Sequence, residues 1–185
     1  IEYEDGELTV ITRELSIQTE TLEKFYDGEP LTSDNWTILS GTVANTHRIV
    51  PVMNSSITSA GTIDNIIGIT ILDYNDIDVT GYYDITYDLG TLTVLSRSLT
   101  IKTESSEKTY DGITLTNNGW SILSGALFST HRVEFTMEAS IINAGEINNT
   151  IGITIYDEEN NDVTRYYDIT YDIGLLSVSK RALTV

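Results

Sequence analysis

Acidic side chains recur in two loops of this chain, and calcium binding is the chemistry that they could support. The stretches LDYNDIDVT (72–80) and YDEENNDVT (156–164) have the composition of calcium loops. The carboxylates that both stretches share are Asp73, Asp78, Asp157 and Asp162. Calcium takes roughly six to eight oxygen ligands, and the glycine and distal glutamate of an EF-hand loop are missing here. The pattern therefore predicts solvated hairpin turns and no cofactor, with calcium as the alternative.

The two histidines carry no recognisable catalytic pattern. His47 and His131 each precede an arginine, but no second histidine and no serine of a nucleophile elbow accompanies them. The chain has no cysteine, which excludes a thiol nucleophile, thiolate metal ligands and disulfide bonds. We therefore expect a protein that is not an enzyme, in which both histidines are hydrogen-bonded structural residues.

Two lysines recur together with two asparagines. Lys24 and Asn65 have the counterparts Lys108 and Asn149. A Lys–Asn isopeptide crosslink requires a buried, neutral lysine amine as the nucleophile. Both lysines follow a glutamate in a polar stretch, and lysine is rarely fully buried. The context therefore favours exposed lysines, with the crosslink as the alternative.

The same lysines begin a hexamer that occurs twice, as EKFYDG (23–28) and EKTYDG (107–112). Asp-Gly is a favoured turn pair, because glycine accepts positive φ and aspartate bonds nearby backbone N–H groups. A tyrosine before the turn can bury its ring at the edge of a core. The residues assigned to this structural motif are Tyr26, Asp27, Gly28, Tyr110, Asp111 and Gly112.

The two hexamers belong to a repeat of 84 residues. Trp36 and Trp120, and also Gly61 and Gly145, are separated by this same interval, with no insertion along the chain. Two segments this similar are expected to share a fold. We predict a repeat at 12–95 and a second at 96–179. The flanking residues 1–11 and 180–185 align with the last hairpin and the first strand of further units, so a longer tandem array is expected.

Each repeat has the residue pattern of β-structure. Thr, Ile, Val and Tyr dominate, and apolar residues alternate with period 2. Comparing the copies separates core from surface, because positions that stay apolar in both are expected to face inward. These inward positions include Ile49, Pro51, Met53, Ile67, Ile69, Ile71, Tyr83, Ile85, Tyr87 and Leu89 with their counterparts. We predict about seven strands per repeat in an antiparallel, immunoglobulin-like β-sandwich, with a tryptophan in the core and a β-grasp unit as the alternative.

With these motifs in place, the chain resembles the YDG/MBG-type tandem repeats of bacterial, Gram-positive-like cell-surface proteins. The resemblance rests on EKFYDGEPLT, WTILSG, DVTGYYDITYDLGTLTV and their second copies, and it covers essentially the whole chain. It implies a bacterial immunoglobulin-like fold, arrays in large exported adhesins or cell-wall proteins, and no catalytic residues. Attachment to the cell would lie outside this segment. Arg165 replaces Gly81 of the first copy, which departs from the pattern.

The net charge of the chain and the composition of its loops indicate which kinds of partner to expect. The net charge of -18 disfavours nucleic acid and anionic membrane surfaces, and no stretch is apolar enough to span a bilayer. The leading expectation is a monomeric stalk or spacer whose short junctions make a stiff rod and whose partners are neighbouring repeats. The alternative is an adhesive module that recognises host glycan or protein through its loops. The loop residues assigned to such binding are Val43, Asn45 and Phe128.

Overall fold

The structure is a computed structural model that describes residues 6–183. Eight described strands precede residue 96: β1 Arg13–Thr19, β2 Leu22–Phe25, β3 Trp36–Gly41, β4 Arg48–Met53, β5 Gly61–Asp64, β6 Ile67–Leu72, β7 Tyr83–Asp88 and β8 Thr91–Leu95. Eight more follow: β9 Arg97–Thr103, β10 Ser106–Thr109, β11 Trp120–Gly125, β12 Arg132–Met137, β13 Gly145–Asn148, β14 Ile151–Tyr156, β15 Tyr167–Asp172 and β16 Leu175–Ser179. Each strand of the second set begins and ends 84 residues after its counterpart, as in Arg13 and Arg97.

The described chain divides into two compact units. The first contains residues 6–24 and 29–94, and the second contains residues 25–28 and 95–183. The division after residue 94 lies one residue before the predicted junction. Residues 25–28 count with the second unit because Tyr26 packs among its aromatic side chains.

Each unit is built from two three-stranded sheets and one two-stranded sheet. The strand orders are β3-β1-β7, β2-β8-β5 and β4-β6 in the first set, and β11-β9-β15, β10-β16-β13 and β12-β14 in the second. The all-β, sandwich-like class is therefore confirmed. The described helical elements are two 3-10 turns, Thr80–Tyr82 and Thr164–Tyr166, so the helix that a β-grasp unit needs is missing from residues 6–183.

Three of the three-stranded sheets contain a parallel strand pair, whereas the sequence predicts antiparallel sheets; the two-stranded sheets are antiparallel. β1 pairs parallel with β7, in register from Arg13 and Tyr83 to Gln18 and Asp88. β9 pairs parallel with β15, and β10 with β16. Parallel pairing needs a long crossover connection, and the five strands between β1 and β7 supply it. The immunoglobulin-like strand arrangement stays a prediction.

Period-2 alternation builds the core. In the first unit the buried cluster is Leu15, Ile17, Ile67, Ile69, Ile71, Val79 and Tyr83, with Trp36, Val43, Ile49, Met53 and Ile85 packed against it. In the second unit, the corresponding buried residues are Leu99, Ile101, Ile151, Ile155, Val163 and Tyr167. The inward parity predicted for β6 is thus confirmed. Trp36 is only partly buried and packs at the edge of its cluster, where the sequence predicts a central role.

Several predicted core residues are exposed instead. Pro51, Tyr87 and Leu89 are exposed, and Phe135 is 44% exposed although its ring lies 5.1 Å from that of Trp120. Pro51 on β4 is the cross-strand partner of the buried Ile69 on β6, so the contacts that bury Ile69 do not extend to Pro51. Alternation therefore identifies a shared face correctly, but it does not report whether another layer covers that face.

The chain ends and the strand count also differ from expectation. Residues 6–11 and 180–183 form no strand, while 1–5 and 184–185 of the predicted terminal elements lie outside the described residues. β2 is an eighth strand: residues 23–25 of the predicted turn motif are extended and lie beside β8. No helix in the described part of the chain has the length and apolarity required to cross a membrane.

Candidate functional site

An aromatic cluster lies in the second unit around Tyr26. We call it the Tyr26 cluster, and it consists of Tyr26, Phe128, His131, Tyr166 and Tyr167. The Tyr26 ring stacks on that of Tyr166, with centroids 4.5 Å apart and planes 27° apart. Its centroid lies 5.8 Å from that of His131 and 6.1 Å from that of Phe128, which it meets edge-on. Tyr26 is consequently only 7% exposed.

Backbone contacts hold Tyr26 in this cluster. Its N–H donates to the carbonyl of Leu95 at 2.8 Å, and Arg97 Nη1 donates to its carbonyl at 3.0 Å. Gly28 has φ of +80°, and a Cβ there would lie 3.2 Å from the Phe128 ring. Glycine thus serves both the backbone conformation and the close approach of the phenyl ring. Arg97, one of the recurrent arginines, therefore helps to hold the Tyr-Asp-Gly bend against the second unit.

The cluster contains a hydrogen-bonded histidine–tyrosine pair, His131 and Tyr167. Tyr167 Oη accepts the backbone N–H of Phe128 at 2.9 Å and lies 2.7 Å from His131 Nδ1. One hydrogen bond therefore joins Tyr167 Oη and His131 Nδ1, and the tautomer of the imidazole decides which of the two atoms donates. Burial lowers the pKa of His131 and raises those of Tyr26 and Tyr167, so all three favour their neutral forms. The His131 ring also contacts those of Tyr26 and Phe128, so the pair is packed within the cluster.

The Tyr-Asp-Gly motif forms a bend, and hydrogen bonds from the preceding lysine of the hexamer stabilise it. In the second copy, Lys108 Nζ donates to Asp111 Oδ1 at 2.7 Å and to the carbonyl of Ile113. Asp111 Oδ1 also accepts the Ile113 N–H at 2.9 Å, and these hydrogen bonds lower its pKa. Gly112 has φ of +81°. In the first copy, Lys24 Nζ donates to the Glu29 carbonyl at 2.7 Å, while Asp27 is exposed.

The asparagines considered for a crosslink have other contacts. Asn149 Nδ2 donates to the carbonyls of Glu104 and Asn117, at 2.9 and 3.0 Å. Asn65 Nδ2 donates to the Glu20 carbonyl at 3.1 Å. Both asparagines are fully buried. Lys108 donates to Asp111 and Ile113 of its own bend, and Asn149 donates to Glu104 and Asn117. The hydrogen bonds of both residues therefore do not favour a crosslink between them.

Each acidic loop uses its shared aspartates to bind its own backbone. Asp73 Oδ1 accepts from the N–H groups of Asn75 and Ile77, at 2.8 and 3.0 Å. Asp78 Oδ1 accepts from the Thr80 N–H at 2.8 Å, and hydrogen bonding to Thr80 lowers the pKa of Asp78. Both aspartates therefore act as turn residues.

The second acidic loop repeats this arrangement. Asp157 Oδ1 accepts from the N–H groups of Glu159 and Asn161, and Asp162 Oδ1 accepts from that of Thr164. Hydrogen bonds to Asn161 and Thr164 lower the pKa values of Asp157 and Asp162, respectively. Within residues 6–183 no group of three or more His, Asp or Glu side chains is placed to hold a metal ion. The predicted absence of a cofactor and the calcium alternative are both untested.

We expect calcium and magnesium to change the melting temperature equally at matched ionic strength, because both only screen the charge of -18. Differential scanning fluorimetry with either salt, after chelator treatment, measures this. The control variant is Asp78→Asn, which retains an oxygen able to accept from Thr80. A saturable rise with calcium alone that Asp78→Asn abolishes would instead establish a calcium site.

The three loop residues assigned to binding are divided between the two units. Val43 packs against the core of the first unit, and Asn45 is exposed in the neighbouring turn. Phe128 is half-buried in the Tyr26 cluster, where the sequence predicts an exposed ring. Their binding role stays a prediction.

Each unit also contains a buried polar network that no sequence motif predicted. In the first, Thr19 Oγ1 donates to the Asn65 carbonyl at 2.8 Å and accepts the Gly90 N–H at 2.9 Å. The Asn65 N–H donates to the Gly90 carbonyl at 2.8 Å. Thr103, Asn149 and Gly174 are the counterparts in the second unit. The available signal was the recurrence of all three residues in both copies.

Comparison with protein-family models, with curated proteins and with solved structures finds no match to this chain. The resemblance to YDG/MBG-type repeats accordingly stays a prediction that rests on the motifs quoted above.

Proposed function

We propose that this chain is a non-catalytic, load-bearing spacer made of tandem β-repeats in an exported bacterial surface protein. The exported location follows from the motif resemblance alone. The role as a spacer under load has independent support, because the first two strands of each unit lie beside its last two strands.

The parallel pairing of β1 with β7 is the observation that carries this proposal. Tension would enter the first unit at the start of β1 and leave it after β8. Since β1 runs parallel to β7, and β2 lies beside β8, such tension slides the paired strands along each other. The interstrand hydrogen bonds are then loaded together, whereas strands pulled apart sideways lose them one at a time. β9 with β15 and β10 with β16 repeat this geometry.

Single-molecule pulling tests the proposal, and the cysteine-free chain allows handles at chosen sites. In one variant, Thr12→Cys with Ser96→Cys applies tension along the paired strands. In the matched variant, Thr12→Cys with Gly81→Cys pulls the adjacent starts of β1 and β7 apart. Gly81 is exposed, and a Cβ there would have no atom within 4 Å.

We expect the first unit to unfold at clearly higher force in the Thr12–Ser96 geometry, because forced unfolding reports the barrier that the loaded hydrogen bonds create. Equal forces in both geometries, or a lower force along the strands, would remove the basis for a load-bearing role. Thermal melts of both variants provide the control that the handles leave the fold intact.

A further inference from the structure

The first unit contains the same histidine–tyrosine pair as the Tyr26 cluster. Tyr83 Oη accepts the Ala44 N–H at 3.1 Å and lies 2.7 Å from His47 Nδ1. The rings of His47 and Tyr83 are 5.8 Å and 65° apart, the same values as for the pair in the second unit. The surface that receives Tyr26 in the second unit is thus also built in the first.

The two surfaces differ sharply in exposure. Tyr166 is 9% exposed beneath the ring of Tyr26, whereas its counterpart Tyr82 is 67% exposed. His131 is buried, and its counterpart His47 is only half-buried. We call the surface formed by His47, Tyr82 and Tyr83 the Tyr82 surface. An exposed aromatic side chain beside a preformed polar pair is what the second unit would present without residues 25–28.

The second unit also presents a second copy of the residue that fills such a surface. Tyr110 follows β10 as Tyr26 follows β2, and its N–H donates to the Ser179 carbonyl at 2.9 Å. Its bend has the same glycine conformation, with φ of +81° at Gly112. Tyr110 nevertheless remains 41% exposed.

We propose that the Tyr82 surface is a docking site for the Tyr-Asp-Gly bend of another copy of this repeat, with Tyr110 of a second chain as its occupant. The Tyr110 ring would stack on Tyr82 as Tyr26 stacks on Tyr166. Arg13, the counterpart of Arg97, would donate to the carbonyl of Tyr110. Donor and acceptor lie on different parts of the chain, so the contact is heterologous and joins copies head to tail.

Two substitutions make the Tyr82 surface a weaker acceptor than its counterpart. Ala44 stands where Phe128 supplies an edge-on ring, and Gly81 stands where Arg165 lies over the Tyr166 ring at 5.0 Å. A tyrosine ring buries at most about 250 Å², well below the roughly 1,200 Å² of a stable interface. Docking between separate chains is therefore weak and calls for millimolar protein.

This inference does not depend on the spacer role, because a binding module could dock its copies in the same way. The test mixes two complementary variants at about 0.15 M salt or above, where screening limits repulsion between the acidic chains. The ¹⁵N-labelled chain carries Tyr110→Ala and keeps only the acceptor. The unlabelled chain carries Tyr82→Ala and keeps only the donor. Both substitutions remove exposed side chains.

We expect saturable amide shifts at Arg13, Ala44, His47 and Gly81–Tyr83 of the labelled chain. Signals around His131 serve as the internal control and should not move, because Tyr26 already fills that site. An unlabelled chain with both substitutions should produce no shift. Adding Ala44→Phe to the labelled chain should strengthen binding at least severalfold, since it restores the edge-on ring.

Two results would overturn the proposal. One is the absence of shifts at the Tyr82 surface at millimolar concentration, even with Ala44→Phe present. The other is a shift that persists when the unlabelled chain lacks Tyr110, because the occupant is then not the Tyr-Asp-Gly bend. A melting curve of each variant verifies that both units stay folded.

Discussion

Asn65→Asp should destabilise the first unit by about 3–5 kcal/mol at neutral pH, the range typical of an uncompensated buried charge. Asn65 is fully buried, and its Nδ2 donates to the Glu20 carbonyl while its Oδ1 accepts from no described residue. Ionised aspartate has no proton to donate, so it would place a buried negative oxygen against that carbonyl.

The effect should depend on pH with a defined sign. Burial and the facing carbonyl raise the pKa of the new carboxyl above its unfolded value of about 3.9. Below that value both states are protonated, and the protonated carboxyl of the variant can donate to Glu20 as the amide did. The difference in unfolding free energy between variant and wild type should therefore be smallest there and increase as pH rises.

Urea unfolding of both chains between acid and neutral pH measures this difference. The matched control is Asn54→Asp, which makes the same change at an exposed position of the same unit. A loss of stability that is independent of pH, or one no larger than that of the control, would show that the burial of Asn65 does not have the energetic role assigned to it.

Gly90→Ala is expected to cost about 3 kcal/mol or more, through overpacking and the loss of buried hydrogen bonds. A Cβ at Gly90 would lie 2.3 Å from the Glu20 carbonyl oxygen and 2.6 Å from that of Thr19. Both obstacles are backbone atoms, which cannot rotate away. The displaced chain would also strain the hydrogen bonds of Gly90 to Thr19 and Asn65.

The control is Gly81→Ala, an exposed position where the added methyl group meets nothing. In urea, Gly90→Ala should separate the unfolding of the two units, with the first unfolding at the lower concentration. Gly174→Ala should reverse that order, because its Cβ would lie 2.6 Å from the Glu104 carbonyl. Unshifted transitions in both variants would contradict the proposed tight packing.

The strands and their inward-facing residues could be predicted largely because the sequence contains two copies of the repeat to compare. Ile69 and Ile71 stay apolar in both copies and are buried, because they belong to a core cluster that also contains Leu15 and Ile17 of β1. Tyr87 shows the same parity and is 44% exposed. Alternation records the direction of a side chain, while coverage depends on contacts distant in sequence. The parallel partners β1 and β7 belong to the same class of distant contacts.

The candidate site was less predictable. Tyr82 and Tyr166 occupy identical positions in the repeat, yet one is exposed and the other is buried. The difference arises from Tyr26, which is 140 residues away from Tyr166 along the chain. No local pattern contains that information. The Asp-Gly bends, by contrast, depend on neighbouring residues and were accessible to sequence reasoning.

The parallel pairing of β1 with β7 also constrains how the chain is made. About 70 residues separate the paired positions, and such distant contacts slow folding. The strands β7 and β15 share the sequence YDITYD, so β1 has two chemically identical candidate partners. Synthesis at about 5–20 residues per second delivers β7 several seconds before β15. Vectorial emergence from the ribosome thus favours the correct partner, whereas refolding of the complete chain from denaturant allows β1 to pair with the wrong copy.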